Sequence, residues 1–290
     1  VSGNIQSLQH RIGGVGDLEG VVRAMKALAA SSIGQYEKAV AALDDYYRTV
    51  ELGLSVCLRE TGPADEIKSG GPVGAVVFGS DQGLVGRFNE TIVELAATSL
   101  KKQTGRVHQV WAVGSRVDAL LADANPWPVE SFETPTSVHA ITQLVGQLLI
   151  GIESARERGE VSEVFVFHNR PKAGDRYEPV CRQLLPLDRK WQIRLAAKPW
   201  PRKVRPEALG GTAIALKGFI RGYLFVLLFQ ACAESLNSEN ASRLAAMQRA
   251  EKNIKDMLEN LNSEFHRVRQ ASIDEELFDV ITGFEALSHN

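Results

Sequence analysis

Three glycines, at 79, 83 and 86, surround Ser80, Asp81 and Gln82 in "GSDQGLVGRFNE" (residues 79–90), directly after the apolar run Val73–Phe78. A strand that opens through glycines into a helix is where backbone N–H groups often hold a phosphate. The residue types fail each specific version of that chemistry. A Walker loop needs a lysine after its glycines and then a hydroxyl residue, and neither stands in place here. A dinucleotide fingerprint needs G-x-G-x-x-G, and a nucleophile elbow needs G-x-S-x-G, whereas Gly79 abuts Ser80 directly. Arg87 offers a single positive charge for a phosphate, which is weak support. The expected role is structural: Ser80 or Asp81 caps a helix, and the glycines permit close backbone packing.

Other candidates fare no better. "RIGGVGDLEG" (11–20) follows a helical pattern rather than a strand, so the strand–turn–helix context of a phosphate loop is missing. Glycines 13, 14, 16 and 20 inside a helix each cost about 1 kcal/mol relative to alanine, which implies outside support or a tolerated bend. The six histidines (10, 108, 139, 168, 266 and 289) form no H-x-x-x-H or H-E-x-x-H pair. Asp274, Glu275, Glu276 and Asp279 read as a solvated helix face rather than a metal site. Positions 182–205 carry eight basic residues and one acid, without aromatics at stacking spacing, which reads as a basic linker or protein-docking edge rather than a nucleic-acid groove. Cys57, Cys181 and Cys232 are too scattered for a disulfide framework or zinc knuckle, suit a reducing compartment, and read as small buried hydrophobes.

The 290 residues, 44% hydrophobic and 23% charged with a net charge of −2, suit one or two folded domains and give no global nucleic-acid signal. Residues 1–10 lack a basic lead and an apolar core, so no targeting peptide is expected there. "FIRGYLFVLLFQACA" (219–233) is interrupted by Arg221 and Gln230 and reads as a buried helix segment rather than a membrane span.

The two ends share one rhythm. Between residues 5 and 60 there is no proline, and Ile5, Leu8, Ile12, Val15, Leu18, Val22, Met25, Ala29, Ser32, Tyr36, Ala39, Leu43, Tyr46 and Val50 recur at steps of three and four, with one slip between Val15 and Leu18. Leu244, Met247, Ile254, Leu258, Leu261, Phe265 and Val268 repeat the pattern, and Glu251 breaks it. This is a coiled-coil seam. Helices of roughly 80 Å and 110 Å at 1.5 Å per residue must bury such stripes against each other, so an antiparallel pair of the two ends is expected. The middle reads differently: "VGAVVFG" (73–79), "RVHQVWAVG" (106–114) and "EVFVFHN" (163–169) are strands, separated by helices near 87–102 and 137–158, and "RYEPVCRQLLPL" (176–187) adds an edge strand. The expected division is an N-terminal coiled-coil helix over 1–62, a Rossmann-like α/β domain over 72–200 and a C-terminal coiled-coil helix over 206–290, with boundaries in the segments 60–72 and 196–211.

Four stretches in order resemble the gamma subunit of F-type rotary ATP synthases. "GSDQGLVGRFNE" is similar to that family's S-D-R-G-L-C-G-x-x-N, and "RAMKALAAS" (23–31) to its K-A-M-x-M-V-A-A-S. "ACAESLNSENASRLAAMQRAEKN" (231–253) and "RVRQASIDEELFDVITGFEAL" (267–287) resemble its last helix, whereas residues 105–205 agree in pattern only. The resemblance implies an antiparallel coiled coil of both chain ends with an inserted Rossmann-like domain that binds no dinucleotide. It implies a non-catalytic shaft without cofactor or metal, standing inside a hexamer of alpha and beta subunits, with its foot on the epsilon subunit and the c-ring of the membrane sector. Peripheral attachment to the cytoplasmic or equivalent face of an energy-transducing membrane follows, with no membrane span of its own and no nucleic-acid partner. The expected partner-facing residues are Met25 and Lys26 at the beta-subunit lever, and Ser80, Asp81, Gln82, Gly83, Arg87 and Asn89 in the loop, whose signature Leu84 and Gly86 also match. Glu239 and Arg243 match a charged pair midway along the last helix, either an i,i+4 surface pair or an interface. Arg269 and Gln270 match the polar pair near the shaft tip, with Asp274 beyond them.

Gln82 stands where the family has arginine, Val85 where it usually has cysteine, and Asp274 where it has threonine. Residues 269–290 carry one basic residue and five acids, and the N-terminal glycines intrude where the family helix has none, which marks a divergent branch. No regulatory cysteine pair is visible. Two other readings compete: a nucleotide-binding α/β enzyme with a helical arm, and a coiled-coil scaffold or DNA-binding arm.

Overall fold

The computed structural model describes residues 2–63, 70–103, 106–124, 127–172, 176–201, 204, 206–208 and 210–288. Eleven elements follow one another: α1 (Ser2–Thr61), β1 (Val73–Phe78), α2 (Phe88–Lys101), β2 (Val107–Val113), α3 (Ser115–Ala124), β3 (Val129–Phe132), α4 (Val138–Glu157), β4 (Glu163–Pro171), β5 (Tyr177–Leu185), α5 (Arg189–Ala197) and α6 (Thr212–Ser288). The chain divides into two compact units, one made of residues 1–29 and 244–290 and the other of residues 30–243.

In the larger unit the sheet runs β3-β2-β1-β4-β5. The first four strands are parallel, and β5 closes the edge antiparallel to β4. Every residue of β1 is buried, as a central parallel strand covered on both faces requires. Its side chains alternate between two cores. Val73, Ala75 and Val77 face Ile92, Ala96 and Leu100 of α2 and Val117 and Leu121 of α3. Val76 and Phe78 face Ile141, Val145, Leu148 and Ile152 of α4 together with Leu54 of α1 and Leu228 of α6. Helix α4 begins at Ser137, whose hydroxyl accepts from the Ala140 N–H at 3.2 Å and so satisfies one open donor of its first turn.

The parts of α1 and α6 in this unit run antiparallel. The Thr212 hydroxyl donates to Glu60 at 2.6 Å, the Tyr47 and Tyr223 rings lie 6.0 Å apart, and the Asn237 amide reaches Glu37 at 3.4 Å. One sequence number rises as the other falls. By length and composition an 18-residue window of α6 is apolar enough to cross a membrane. Here Tyr223, Leu224, Val226–Phe229 and Ala231–Ala233 are buried in the protein's own core, as the sequence reading expects of residues 219–233.

In the smaller unit Leu8, Ala29, Met247 and Leu261 are buried, and Lys26 Nζ lies 2.7 Å from Glu251 Oε2. The seam corrects the sequence reading at two positions. Leu18 and Tyr46 are exposed at 57% and 47%, while Glu19 and Tyr47 turn inward instead. With Glu19, Lys26, Ile33, Val40 and Tyr47 in the row, steps of three and four continue without a slip. The apparent slip arose because charged seam residues were passed over. Glu251 likewise occupies a seam position, neutralised by Lys26, rather than breaking the register.

Helix α1 runs unbroken through its glycines. A Cβ added at Gly13, Gly14, Gly16 or Gly20 meets nothing within 4 Å, so packing within the chain does not demand them. Replacing all four by alanine is expected to stabilise the helix, by up to about 1 kcal/mol per site. Circular dichroism during urea titration checks this, and an unchanged midpoint would contradict it.

Three elements were not foreseen: α3, β3 and α5. β3 is four residues long and only its ends, Val129 and Phe132, are apolar. α5 lies where the sequence reads as a basic linker. It is anchored by Arg59, whose Nε donates to the Ala196 carbonyl at 3.0 Å, and by the 3.0 Å ion pair of Lys198 with Glu51. Cys57 and Cys232 are buried as expected, but Cys181 on the edge strand is exposed, because it shares an outward face of β5 with Gln183, two residues on and also exposed.

Candidate functional site

In an open α/β sheet a ligand site forms outside the carboxyl ends of the strands, where the strand order reverses. Here that point lies between β1 and β4, whose neighbours on either side are β2 and β5. The glycine loop leaves β1 at this place, and side chains of the loop, α2 and β4 are bonded to the chain there. The Ser80 N–H donates to Asn89 Oδ1 at 3.0 Å, Asn89 Nδ2 returns a bond to Ser80 Oγ at 2.9 Å, and Ser80 Oγ donates to the Gln82 carbonyl at 2.9 Å. From the β4 side, Asn169 is fully buried and its Nδ2 donates to the Phe88 carbonyl at 2.9 Å. Ser238 of α6 donates to the Asn169 carbonyl at 2.9 Å.

Asp81 clamps the outer side. Its Oδ1 accepts from the Ser115 N–H at 2.8 Å and its Oδ2 from the Thr134 N–H at 2.8 Å and from the Thr134 hydroxyl. Burial alone raises its carboxyl, but these bonds from Thr134 and Ser115 outweigh it and hold Asp81 below the usual aspartate range. The sequence reading expects a cap, and the cap is real but tertiary: Asp81 serves the first turn of α3. Helix α2 starts at Arg87 without a side-chain cap. The loop folds back over α3 because two glycines let it approach. A Cβ on Gly79 would stand 1.9 Å from Val117 Cγ2, and Gly114, at φ +111°, holds its Cα against the Ser80 backbone, where a Cβ would come within 2.8 Å.

The rest of the loop faces outward. Gln82 and Arg87 are exposed, Arg87 is paired with Glu94 at 2.7 Å, and Leu84 takes a left-handed φ of 63° while 61% exposed. The first two amides of the loop are committed within the chain, that of Ser80 to Asn89 and that of Gly79 to the Val113 carbonyl at 2.8 Å. Among the described residues no group of three or more His, Cys, Asp or Glu is placed to hold a metal ion.

Glu239 and Arg243 are largely enclosed by protein. Arg243 pairs with Glu239 at 2.7 Å, with side-chain exposures of 13% and 7%, so the surface-pair alternative is corrected to a buried pair. Among the described residues Glu239 Oε2 and Arg243 Nε have no hydrogen-bond partner. Burial pushes the Glu239 carboxyl up and the charge of Asp81 adds to it, against the opposing pull of Arg243. Ser80, Asp81, Asn89, Glu239 and Arg243 thus belong to one polar region beside the switch point. Gly83 sits half-buried at its rim.

The remaining candidates lie in the smaller unit. Arg269, Gln270 and Asp274 are exposed, as are the apolar Ile273, Leu277 and Phe278. Met25 is half-buried, and Lys26 is committed to Glu251. Sequence reasoning missed Ser115, Thr134, His168, Asn169, Glu234 and Ser238. Glu234 and Ser238 stand four residues apart inside a stretch already singled out, and that spacing was the available signal.

A family profile described as ATP synthase matches residues 4–287. Curated relatives include the ATP synthase gamma chain of Polynucleobacter asymbioticus, 26% identical over 97% of this chain and 99% of the relative, and that of Sorangium cellulosum, 26% identical over 98% and 99%. Among solved structures, a chain of the Euglena gracilis mitochondrial ATP synthase (OSCP/F1/c-ring, rotational state 3) is similar with a TM-score of 0.67 at 14% identity, over 99% of this chain and 95% of that one. A chain from the central stalk and c-ring of the Tetrahymena thermophila mitochondrial ATP synthase gives 0.59 at 20% identity, over 79% and 99%. These structural likenesses carry the fold. The chain belongs to the ATP synthase family, and the relatives that it matches nearly end to end are gamma chains.

Proposed function

We propose that this chain is the central-stalk gamma subunit of an F-type ATP synthase and makes no bond chemistry of its own. Its helical ends (1–62 and 206–290) serve as the shaft inside the alpha/beta hexamer, and its α/β body (72–200) serves as the foot on the epsilon subunit and the c-ring. Ion flow turns the ring, and the asymmetric shaft favours a different conformation of each beta subunit in turn, which is coupling by differential contact with distinct states. The chain is held peripherally at the cytoplasmic or equivalent face of the membrane. The observation that carries this reading is the end-to-end family match, supported by a switch point at which Asn89, Asn169 and Ser238 are bonded within the chain itself.

Affinity capture of the tagged chain from native membranes is expected to bring down an ATP-hydrolysing hexamer together with the ring subunit. Capture without either would defeat the reading. In the captured complex, Arg269→Ala and Gln270→Ala are expected to lower ATP-driven ion transport, because both residues are exposed on α6 and free to bond to beta loops. Unchanged transport and hydrolysis in both variants would retire that contact assignment.

A further inference from the structure

Three consecutive residues at the end of β4 grip a single stripe of α6. His168 Nε2 lies 2.8 Å from Glu234 Oε2, and Arg170 Nε lies 3.5 Å from the same oxygen. Between them, the Asn169 carbonyl accepts from Ser238 Oγ at 2.9 Å, while its side chain turns to the Phe88 carbonyl at 2.9 Å. Gln230 completes the row by donating to Glu234 Oε1 at 2.7 Å. Positions 230, 234 and 238 repeat every fourth residue and so share one helix face. His168 and Glu234 have side-chain exposures of only 4% and 13%. Burial pushes the Glu234 carboxyl up, but His168, Gln230 and Arg170 outweigh it and keep the acid below the usual glutamate range.

The apolar core around this row includes Leu227, Leu228 and Ala231 of α6 and Val164 and Val166 of β4. Apolar burial is non-directional and opposes separation far more than a small twist of one element past another. Charge-assisted hydrogen bonds with fixed partners oppose both. We infer that the clasp of His168, Asn169 and Arg170 on Glu234 and Ser238, with Gln230 steadying Glu234 from its own helix, is the joint that carries torsional load between the α/β body and α6. The inference rests on the central-stalk reading and adds to it a set of positioning residues that touch neither nucleotide nor the catalytic subunits.

The test uses the assembled complex in sealed vesicles, comparing unloaded ATP hydrolysis, with the ion gradient collapsed by an uncoupler, against the steepest gradient that hydrolysis sustains. The double variant His168→Leu/Glu234→Leu is expected to keep its unloaded hydrolysis rate and to lose sustained gradient severalfold. Glu234→Gln, which keeps hydrogen-bonding atoms for His168 and Gln230 but removes the charge that strengthens the clasp, is expected to sustain a gradient between those of the parent and the double variant. Ser238→Ala, a smaller change that spares the fold if the double variant fails to assemble, is expected to shift the loaded measurement in the same direction. Loaded and unloaded rates falling in parallel, or a loaded rate indifferent to both the leucine and the alanine changes, would overturn the joint. Failure of the unaltered chain to assemble with hexamer and ring would instead defeat the central-stalk reading.

Discussion

Arg243→Ala is expected to lower folding stability by about 3–5 kcal/mol, as measured by urea titration of the full chain. The substitution strands Glu239, whose side chain is 7% exposed and whose Oε2 already lacks a partner. A lone carboxylate there has no compensating charge, and Asp81 adds a repelling one. The loss is expected to depend on pH in a definite sense. Burial, opposed by Arg243 and reinforced by Asp81, raises the folded-state pKa of Glu239 above its ordinary value, so between the two values the folded state holds more protons than the unfolded one. Stability is therefore fully present below the ordinary glutamate range and falls as pH rises through the folded value. Without Arg243 that fall is steeper and extends further upward. Glu239→Leu combined with Arg243→Met is expected to be nearly neutral, since replacing both members of a buried pair removes two desolvation costs together. An Arg243→Ala variant as stable as the parent at pH 8 would show that water reaches the pair.

Gly114→Ala is expected to cost about 2–4 kcal/mol. At φ +111° the residue lies where side chains are strained, and the new Cβ would come within 2.8 Å of the Ser80 N, C and O atoms. Backbone cannot yield as a flexible side chain does. Moving Ser80 outward breaks the Arg116 N–H bond to the Ser80 carbonyl at 3.1 Å and disturbs the Asp81 clamp beside it. Gly83→Ala is the matched control. There a Cβ meets only the Arg116 guanidinium at 3.8 Å, and the change is expected to stay within about 0.5 kcal/mol. Equal losses at the two positions in a denaturant titration would refute the close-approach argument.

The amino-acid pattern made the strands β1, β2 and β4 visible because each carries a β-branched or aromatic run that is largely buried, throughout β1, over Val110–Val113 of β2 and over most of β4. It made the end helices visible because a 3.5-residue rhythm persists over many turns. The same pattern concealed Glu19, Lys26 and Glu251 in the seam, since a charge at an inward position is tolerated through a partner that the apolar pattern does not reveal, Lys26 with Glu251 across the helices and Glu19 with Arg23 one turn along. β3 escaped notice because a four-residue strand with two exposed polar residues at its centre has no alternation to read. α5 escaped because its fixings, Arg59 and Glu51, lie on α1, far away in sequence. In the candidate site the motif residues Ser80, Asp81 and Asn89 were legible, but what they do was not. Asp81 caps a helix 34 positions along, and Asn169 joins partners 81 and 69 positions away, relations that exist only after the sheet has closed.

The pairing of α1 with α6 has a consequence for biosynthesis. Lys26 meets Glu251 across 225 residues, and a ribosome adding about 5–20 residues per second needs roughly 10–45 s to supply that second partner. For this interval the inward stripe of the nascent first segment has nothing to lie against. Isolated helices are marginal in water, and Gly13, Gly14, Gly16 and Gly20 weaken this one further, so the waiting chain stays loosely structured instead of displaying a continuous sticky ridge. The glycines that look costly in the finished molecule thus also lower the helix content of the unfinished one.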